Sequence, residues 1–558
     1  MTTGRWNPQQ RRSFWGWGLA AHEPSDEQRH RTAATIAKRY GVEPVVEPPP
    51  SIDDVELRAA RIAAPPALEE ICVDDRWERA RHSHGMAYTD RLRAFRGQFA
   101  NPPDVVAYPR DDSELEAVLD WCYEAGHTVV PFGGGSSVVW GVNPPQEVAS
   151  VVTVDLTAMD RVLDIDHASR AARIQAGALG PAVESQLREH GLTLRHFPQS
   201  FEWSTVGGWI ATRSGGHYAT NHTHIDDFVE SVRMLTPAGW WESRRLPGSG
   251  AGPSPDRLVL GSEGTLGLVS EAWLRVQRRP TFRATAGIRF PSWESGWHAV
   301  RAIVQAKLWP ANLRILDPLE AQLGARLDGH TALLIVGFES ADVPQRHNMD
   351  AAVSIARDCG GDIDDDEIDI RAPGDEASQR QPRAADGNRS GNGTSPDGRG
   401  GSVGAWRDSF VGFDLNSMCG LGLVVDTFES AITWDRWPEF DSAIRSAMQD
   451  ALTDVCGGGW LSCRFTHVYT DGPAPYYTFA GMGTRGSEER QWLELKEAAS
   501  EAVIAAGGTI THHHAVGRMH RSAYDRQRPA PFAAALAGAK RAVDPRGLLN
   551  PGVLIDPL

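Results

Sequence analysis

The chain has 558 residues, of which 41% are hydrophobic and 23% charged, and its formal net charge is −16. That length exceeds what one hydrophobic core needs, so several globular domains are expected and a disordered chain is excluded. The acidic balance excludes a dedicated nucleic-acid binder, which needs surplus Lys and Arg to meet phosphates.

At the N-terminus, Arg11-Arg12 precedes the apolar stretch from Phe14 to Ala21, a pattern that imitates a twin-arginine signal. The stretch is too aromatic and glycine-rich for a signal core, and Glu23 and Asp26 follow at once, so a cytoplasmic location is expected. No window of the sequence has the apolar length of a membrane span. The six cysteines (Cys72, Cys122, Cys359, Cys419, Cys456 and Cys463) form no CxxC pair, and a reduced, disulfide-free chain is expected.

Ser25 and Gln28 have capping-box spacing, and Ala33, Ile36, Ala37 and Tyr40 follow at helical intervals before Gly41. Pro44 to Pro50 reads as an extended linker. Val105 to Tyr108 is a short strand, and Ser113 with Glu116 caps a helix whose face is Leu115, Val118, Leu119 and Cys122. Gly126 closes that helix, and the strand Val129 to Phe132 runs into a glycine loop.

Three segments have the chemistry of a flavin or diphosphate site. The first is Pro131-Phe132-Gly133-Gly134-Gly135-Ser136-Ser137, where glycines let backbone N–H groups converge on phosphate oxygens. The second runs from Pro198 through Ser204, Thr205, Gly207 and Gly208 to Ala211, Thr212, Arg213 and Ser214. The third, Gly261-Ser262-Glu263-Gly264-Thr265-Leu266-Gly267, follows a strand pattern at Leu258-Val259-Leu260. No GxGxxG with a downstream acid is present, so a Rossmann site is not expected.

Arg314 is a charge inside the apolar run Leu313 to Leu316, where burial calls for an anionic or flavin partner. Residues 374–402 contain no Leu, Ile, Val, Met or aromatic residue, and a disordered insertion is expected there. Its sequons at Asn388 and Asn392 follow from composition. Tyr476 and Tyr477 lie in a strand-like stretch, and a phenol acts as a base near neutral pH only with help from a nearby cation. His512, His513 and His514 follow the strand-like Thr509-Ile510-Thr511 and would alternate faces, so they cannot all meet one ion and no metal is expected.

The three loops, in this order, resemble the FAD loops of the vanillyl-alcohol oxidase and p-cresol methylhydroxylase (PCMH) flavoproteins. Within them the Trp15-Gly16-Trp17-Gly18 start and the Thr511-His512-His513-His514-Ala515-Val516-Gly517-Arg518 motif resemble the alkyldihydroxyacetonephosphate synthase family, over nearly the whole chain. The resemblance implies an α+β, two-domain PCMH-type FAD-binding fold with a sheet-based cap. Residues 1–103 would be an N-terminal helical region, 104–280 the FAD-binding domain, 281–500 the cap, and 501–558 a segment completing the active site.

It further implies non-covalent FAD, since the Pro131 loop has neither His nor Cys. The implied substrates are a lipid-like phosphate ester and a fatty alcohol: the acyl group of acyl-dihydroxyacetone phosphate is exchanged for the alcohol without net redox change. Tyr476, with Tyr477 as fallback, would be the acid/base residue beside the histidines. Arg407 would bind the substrate phosphate, and Arg314 would lie near the flavin. Lipid substrates imply peripheral membrane contact, and a homodimer is compatible with the sequence. Leu548-Leu549-Asn550-Pro551-Gly552 instead resembles hydroxy-acid oxidases, which leaves an FAD-dependent dehydrogenase of a 2-hydroxy acid or alcohol as the alternative.

Overall fold

The computed structural model of the chain describes residues 11–217, 220, 222–364, 367–374 and 415–556. Apart from Gly374, the expected insertion lies outside the described residues, as does Arg407. The Ser25–Gln28 capping box forms, and the helix Asp26–Tyr40 buries Ala33 and Ile36 before stopping at the left-handed Gly41.

Strands β1 (Cys72–Val73), β2 (Val105–Ala107), β3 (Thr128–Phe132) and β4 (Val151–Asp155) form one sheet in the order β1-β2-β4-β3, with β2 and β3 parallel to β4. The helix Asp112–Ala125 connects β2 to β3 and buries Leu115, Val118, Leu119 and Cys122, the face its spacing predicted. Its cap differs from expectation. The helix starts before Ser113, so the Asp111 carboxylate accepts the Glu114 N–H and Ser113 Oγ donates to Asp111.

Next come β5 (Val162–Asp166), β6 (Ala171–Gln175), β7 (Leu192–Thr193), β8 (Val229–Thr236), β9 (Gly239–Glu242), β10 (Leu268–Arg275) and β11 (Gln277–Arg278). An antiparallel sheet has the order β5-β6-β10-β8-β9, and β7 pairs with β11. Both larger sheets share one core, which includes Val129, Val152, Ile174, Val232 and Leu274. Leu258 and Val259, expected in a strand, belong to the short helix Pro255–Val259, with Leu260 as its cap. Pro255 in the first turn presets a helical φ where no N–H is needed, and strand pairing resumes only at Leu268.

The second half is built on β12 (Phe282–Phe290), β13 (Asn312–Leu316), β14 (Ala332–Ser340), β15 (Asp369–Arg371), β16 (Leu423–Glu429), β17 (Trp460–Val468) and β18 (Pro473–Met482). Their order is β15-β12-β14-β13-β17-β18-β16, antiparallel throughout. Helices Trp293–Gln305, Arg346–Asp358, Trp437–Cys456 and Glu488–Ala505 pack on one face of this sheet in a second core. The architecture is the two-domain α+β fold expected. All six cysteines are unpaired, and among the described residues no helix is long and apolar enough to cross a membrane.

The C-terminal helix Ala530–Val543 is pinned to the third glycine loop by a buried lysine that also forms an ion pair. Lys540 Nζ donates to Asp544 (2.5 Å) and to the carbonyls of Thr265 (2.6 Å) and Leu549 (2.8 Å). Replacing Lys540 by Met would leave the fully buried Asp544 carboxylate without its cation. The Lys540→Met chain is expected to lose about 3 kcal/mol of stability, read by denaturant unfolding; an unchanged midpoint would refute that contribution.

Candidate active site

The three glycine segments meet one another. Pro131 and Phe132 end β3, and a Cβ on Gly133 or Gly134 would overlap Thr205 Oγ1 or the Trp203 carbonyl. A Cβ on Gly264 would lie 2.5 Å from Pro131, and one on Gly207 would lie 2.8 Å from the Ala176 Cβ. Gly134 packs on backbone and the others on neighbouring side chains, with no room for a Cβ, which is why glycines recur. Gly135 needs its left-handed φ of 66°, and Gly267 lies against the Leu235 carbonyl.

Hydroxyls and carbonyls fix the rest of these loops. Thr205 Oγ1 accepts the Gly208 N–H (3.3 Å) at the start of the helix Val206–Thr212, and Thr212 Oγ1 donates to the Gly208 carbonyl (2.8 Å). Ser204 Oγ accepts the Trp209 indole N–H, and the Pro198 carbonyl accepts the Phe201 N–H. Ser136 lies between the glycines and Ser137, whose Oγ accepts the Gly141 N–H (2.9 Å). The Glu263 N–H reaches the Ala211 carbonyl, and Thr265 Oγ1 donates to the Ser262 carbonyl above the fully buried Leu266. Ser214 Oγ lies 2.8 Å from His196 Nε2.

Buried Ser262 Oγ has no hydrogen-bond partner among the described residues. A spare buried hydroxyl beside close-packed glycines and backbone amides is a donor set that fits FAD. Arg213, at the end of the second segment, pairs its guanidinium with Asp226 at 2.8 Å. The cations missed in the sequence are Arg12 and Arg81, which donate to the Gly134 carbonyl at 2.5 and 2.9 Å. They come from segments far from the loop; Arg12 stood out only in the signal-like Arg11-Arg12 pair, and no local pattern marks Arg81.

The opposite face of the second sheet carries the remaining groups. Register sets Glu429, Tyr476 and Arg464 side by side across β16, β18 and β17. Leu316 opposite Arg464 puts Arg314, two residues earlier on β13, on the same face. Arg314 is buried, and its charge acts on His217 and His467. Tyr476 Oη donates to Thr427 Oγ1 (3.0 Å). The Arg464 guanidinium stands 4.2 Å from its ring, and His513 stacks on it at 5.9 Å and 21°. Tyr477 points into the helix-covered core and donates to Asp441 (2.8 Å), so strand alternation separates the two tyrosines. Burial raises the Tyr476 pKa above the ordinary phenol value against the pull of Arg464, so the phenol is protonated.

The histidine triplet is not on a strand. Glu429 accepts the backbone N–H groups of His512 (2.5 Å), His513 (3.1 Å) and His514 (2.9 Å), and the Thr511 hydroxyl (2.6 Å). Three consecutive amides converging on one carboxylate curl the backbone, and the expected alternation is lost. His512 instead meets His224, His467 and Tyr469, while His513 and His514 flank Tyr476. Burial pushes the Glu429 pKa up, but His514, His512 and these hydrogen bonds outweigh it and hold it at about 2. Burial, then neighbouring charge, pushes His512 and His513 well below the usual imidazole value, so both are neutral.

Ring nitrogens of His467, His512 and His513 lie within 4.8 Å of one another, a spacing seen around metal ions. Both nitrogens of His467 are already used, by Thr466 Oγ1 (3.0 Å) and the Gly216 carbonyl (2.7 Å). Glu429, Arg464, Tyr469 and His224 were not singled out in the sequence. Each stands far from the histidine motif along the chain, and only sheet register or loop packing brings them to it.

Comparison with known proteins agrees with the FAD-binding fold. Residues 103–243 match the family described as FAD binding domain, and residues 279–554 match the C-terminal domain of FAD linked oxidases. An alkyldihydroxyacetonephosphate synthase from Dictyostelium discoideum is 28% identical over 486 residues, covering 86% of this chain and 78% of that protein. One from Trypanosoma brucei brucei is 26% identical over 538 residues, covering 91% and 84%. A solved alkyldihydroxyacetonephosphate synthase superposes with a TM-score of 0.75 at 22% identity, over 98% of this chain and 99% of that one.

Proposed function

This chain belongs to the FAD-linked oxidase family of PCMH-type flavoproteins, and on that premise we propose that it is an ether-forming alkyl transferase. It would exchange the acyl group of acyl-dihydroxyacetone phosphate for a fatty alcohol, as the names of its relatives suggest. The observation that carries this reading is the stack of Arg464, protonated Tyr476 and neutral His513, which pairs a proton donor with a base on one sheet face. A hydride-transferring dehydrogenase needs a base but has less use for a buried donor at its side.

FAD, when bound, supplies electron-sink chemistry. His513 takes the substrate C1 proton, and Tyr476 gives its phenolic proton to the departing carboxylate. The Arg464 guanidinium stabilises the negative charge left on the phenol until the alcohol, in bonding to C1, gives its hydroxyl proton to Tyr476 and His513 returns its proton to C1. Arg314 faces the anionic end of the reacting pair, and Arg407 grips the phosphate. The glycine loops hold FAD without a covalent link, and the protein works from the aqueous side of a lipid surface.

The test supplies palmitoyl-dihydroxyacetone phosphate and hexadecanol in liposomes to the yellow holoenzyme. The expected result is co-sedimentation with lipid, release of palmitate that depends on the alcohol, and no net bleaching of the flavin. Bleaching by a 2-hydroxy acid, with no palmitate released from the lipid, would establish the dehydrogenase instead.

A further inference from the structure

From His513, the base in the Tyr476 stack, runs a chain of hydrogen-bonded side chains whose other members the roles above leave unused. His513 Nδ1 and His512 Nδ1 are 3.0 Å apart, and His512 Nε2 is 2.7 Å from the Tyr469 hydroxyl. That hydroxyl is 3.0 Å from His224 Nε2, and His224 Nδ1 is 3.0 Å from the Arg213 carbonyl. His224 Nε2 also lies 3.2 Å from His512 Nε2. All four side chains are part-buried, and of these bonds only the one from His224 to the Arg213 carbonyl is exposed.

Elementary donor arithmetic gives this chain a direction. A carbonyl only accepts, so His224 Nδ1 carries hydrogen, and a neutral imidazole then offers Nε2 as acceptor. Tyr469 has one hydrogen to donate. It goes to His224 Nε2, and the phenol oxygen accepts from His512 Nε2–H and from the Thr223 hydroxyl. His512 Nδ1 is thereby bare and accepts from His513 Nδ1–H. The far end agrees independently, because the Glu429 carboxylate stands 3.4 Å from His513 Nδ1 and favours hydrogen there. Among the described residues His513 Nε2 has no hydrogen-bond partner, so the one bare nitrogen left is on the residue stacked against Tyr476.

We propose that His513, His512, Tyr469 and His224 form a proton relay whose resting direction is set by the Arg213 carbonyl and the Glu429 carboxylate. His513 Nε2 is its accepting end and His224 its solvent-side end. A proton arriving on His513 Nε2 displaces the Nδ1 proton onto His512 Nδ1. The His512 Nε2 proton passes to the Tyr469 oxygen, and the Tyr469 proton passes to His224 Nε2. The positive charge ends on His224, whose outer hydrogen bond is exposed, and the reverse shift returns the proton. Burial and nearby acids hold the Tyr469 pKa high, so the phenol conducts by giving and receiving together rather than by ionising. The relay rests on the synthase reading only for the origin of the proton.

Two measurements test it on the holoenzyme. With histidine labelled in nitrogen-15, the relay requires Nε2–H on His512 and Nδ1–H on His513 and His224; the opposite tautomers would overturn it without any substrate. In turnover, His224→Ala should lower kcat about tenfold, less than the loss of a direct acid–base group, with KM and FAD content unchanged. Added imidazole should restore His224→Ala but not Tyr469→Phe. Wild-type turnover by His224→Ala, or a loss in the folded holoenzyme that imidazole leaves untouched, would also overturn the relay. A wild-type holoenzyme inactive on the lipid substrates would defeat the synthase reading, while the tautomers would still decide the relay.

Discussion

Replacing Glu429 by glutamine is expected to lower kcat by about 10²–10³-fold while FAD content stays near that of the wild type. Misplacing a reacting group by about 1 Å can cost 10²-fold, and here several groups move together. One carboxylate holds the amides of three consecutive histidines and the Thr511 hydroxyl, and its neighbour in the sheet is Tyr476. Glutamine has a single acceptor oxygen and turns an NH2 group toward amides that have only hydrogens to offer. Glu429 itself acts through the histidines, as a positioning residue.

A change in the histidine tautomers of Glu429→Gln is therefore expected alongside the kinetic loss. The acid dependence follows from the same site. The folded pKa, about 2, lies below the unfolded carboxyl value of roughly 4.3. Its stabilisation is thus complete above the unfolded value and is lost as the pH falls toward the folded one. Acid unfolding curves of wild type and Glu429→Gln should differ in that window; identical curves, or unchanged kcat, would remove Glu429 from this role.

Gly134→Ala should abolish stoichiometric FAD binding, seen as a colourless preparation. The added Cβ would overlap the Trp203 carbonyl, which is backbone and has no rotamer by which to escape. The Gly134 carbonyl is also held by Arg12 and Arg81, so the first loop cannot retreat without breaking both bonds. Gly250→Ala is the control, since nothing lies within 4 Å of a Cβ there, and it should bind FAD like the wild type. A yellow, stable Gly134→Ala protein would show that the loops tolerate separation and that their glycines serve another purpose.

Local patterns were legible where the chemistry is local. The glycine segments, the face of the helix Asp112–Ala125 and the strand holding Tyr476 follow from spacing and from the sterics of small residues. Errors arose where a local preference was overridden. Leu258 to Leu260 are a short apolar run around β-branched Val259 that reads as a strand, yet Pro255 starts a helix through Val259. Thr509 to Thr511 look like a strand, yet the amides that follow turn onto Glu429 instead of a neighbouring strand.

The sequence by itself determined the small residues that backbone contact demands and the order of the three loops. It also determined the histidine motif, because these properties belong to neighbouring residues and to steric limits on single backbones. Only the tertiary structure decided that Tyr476, rather than Tyr477, faces the histidines, and that Glu429 organises them. It alone brought Arg12, Arg81, Arg464, Tyr469 and His224 to sites formed by distant segments. The reason is physical: register across β16, β18 and β17 and packing between loops join residues whose separation along the chain carries no signal, and a one-residue slip in register would turn Tyr476 away from the site.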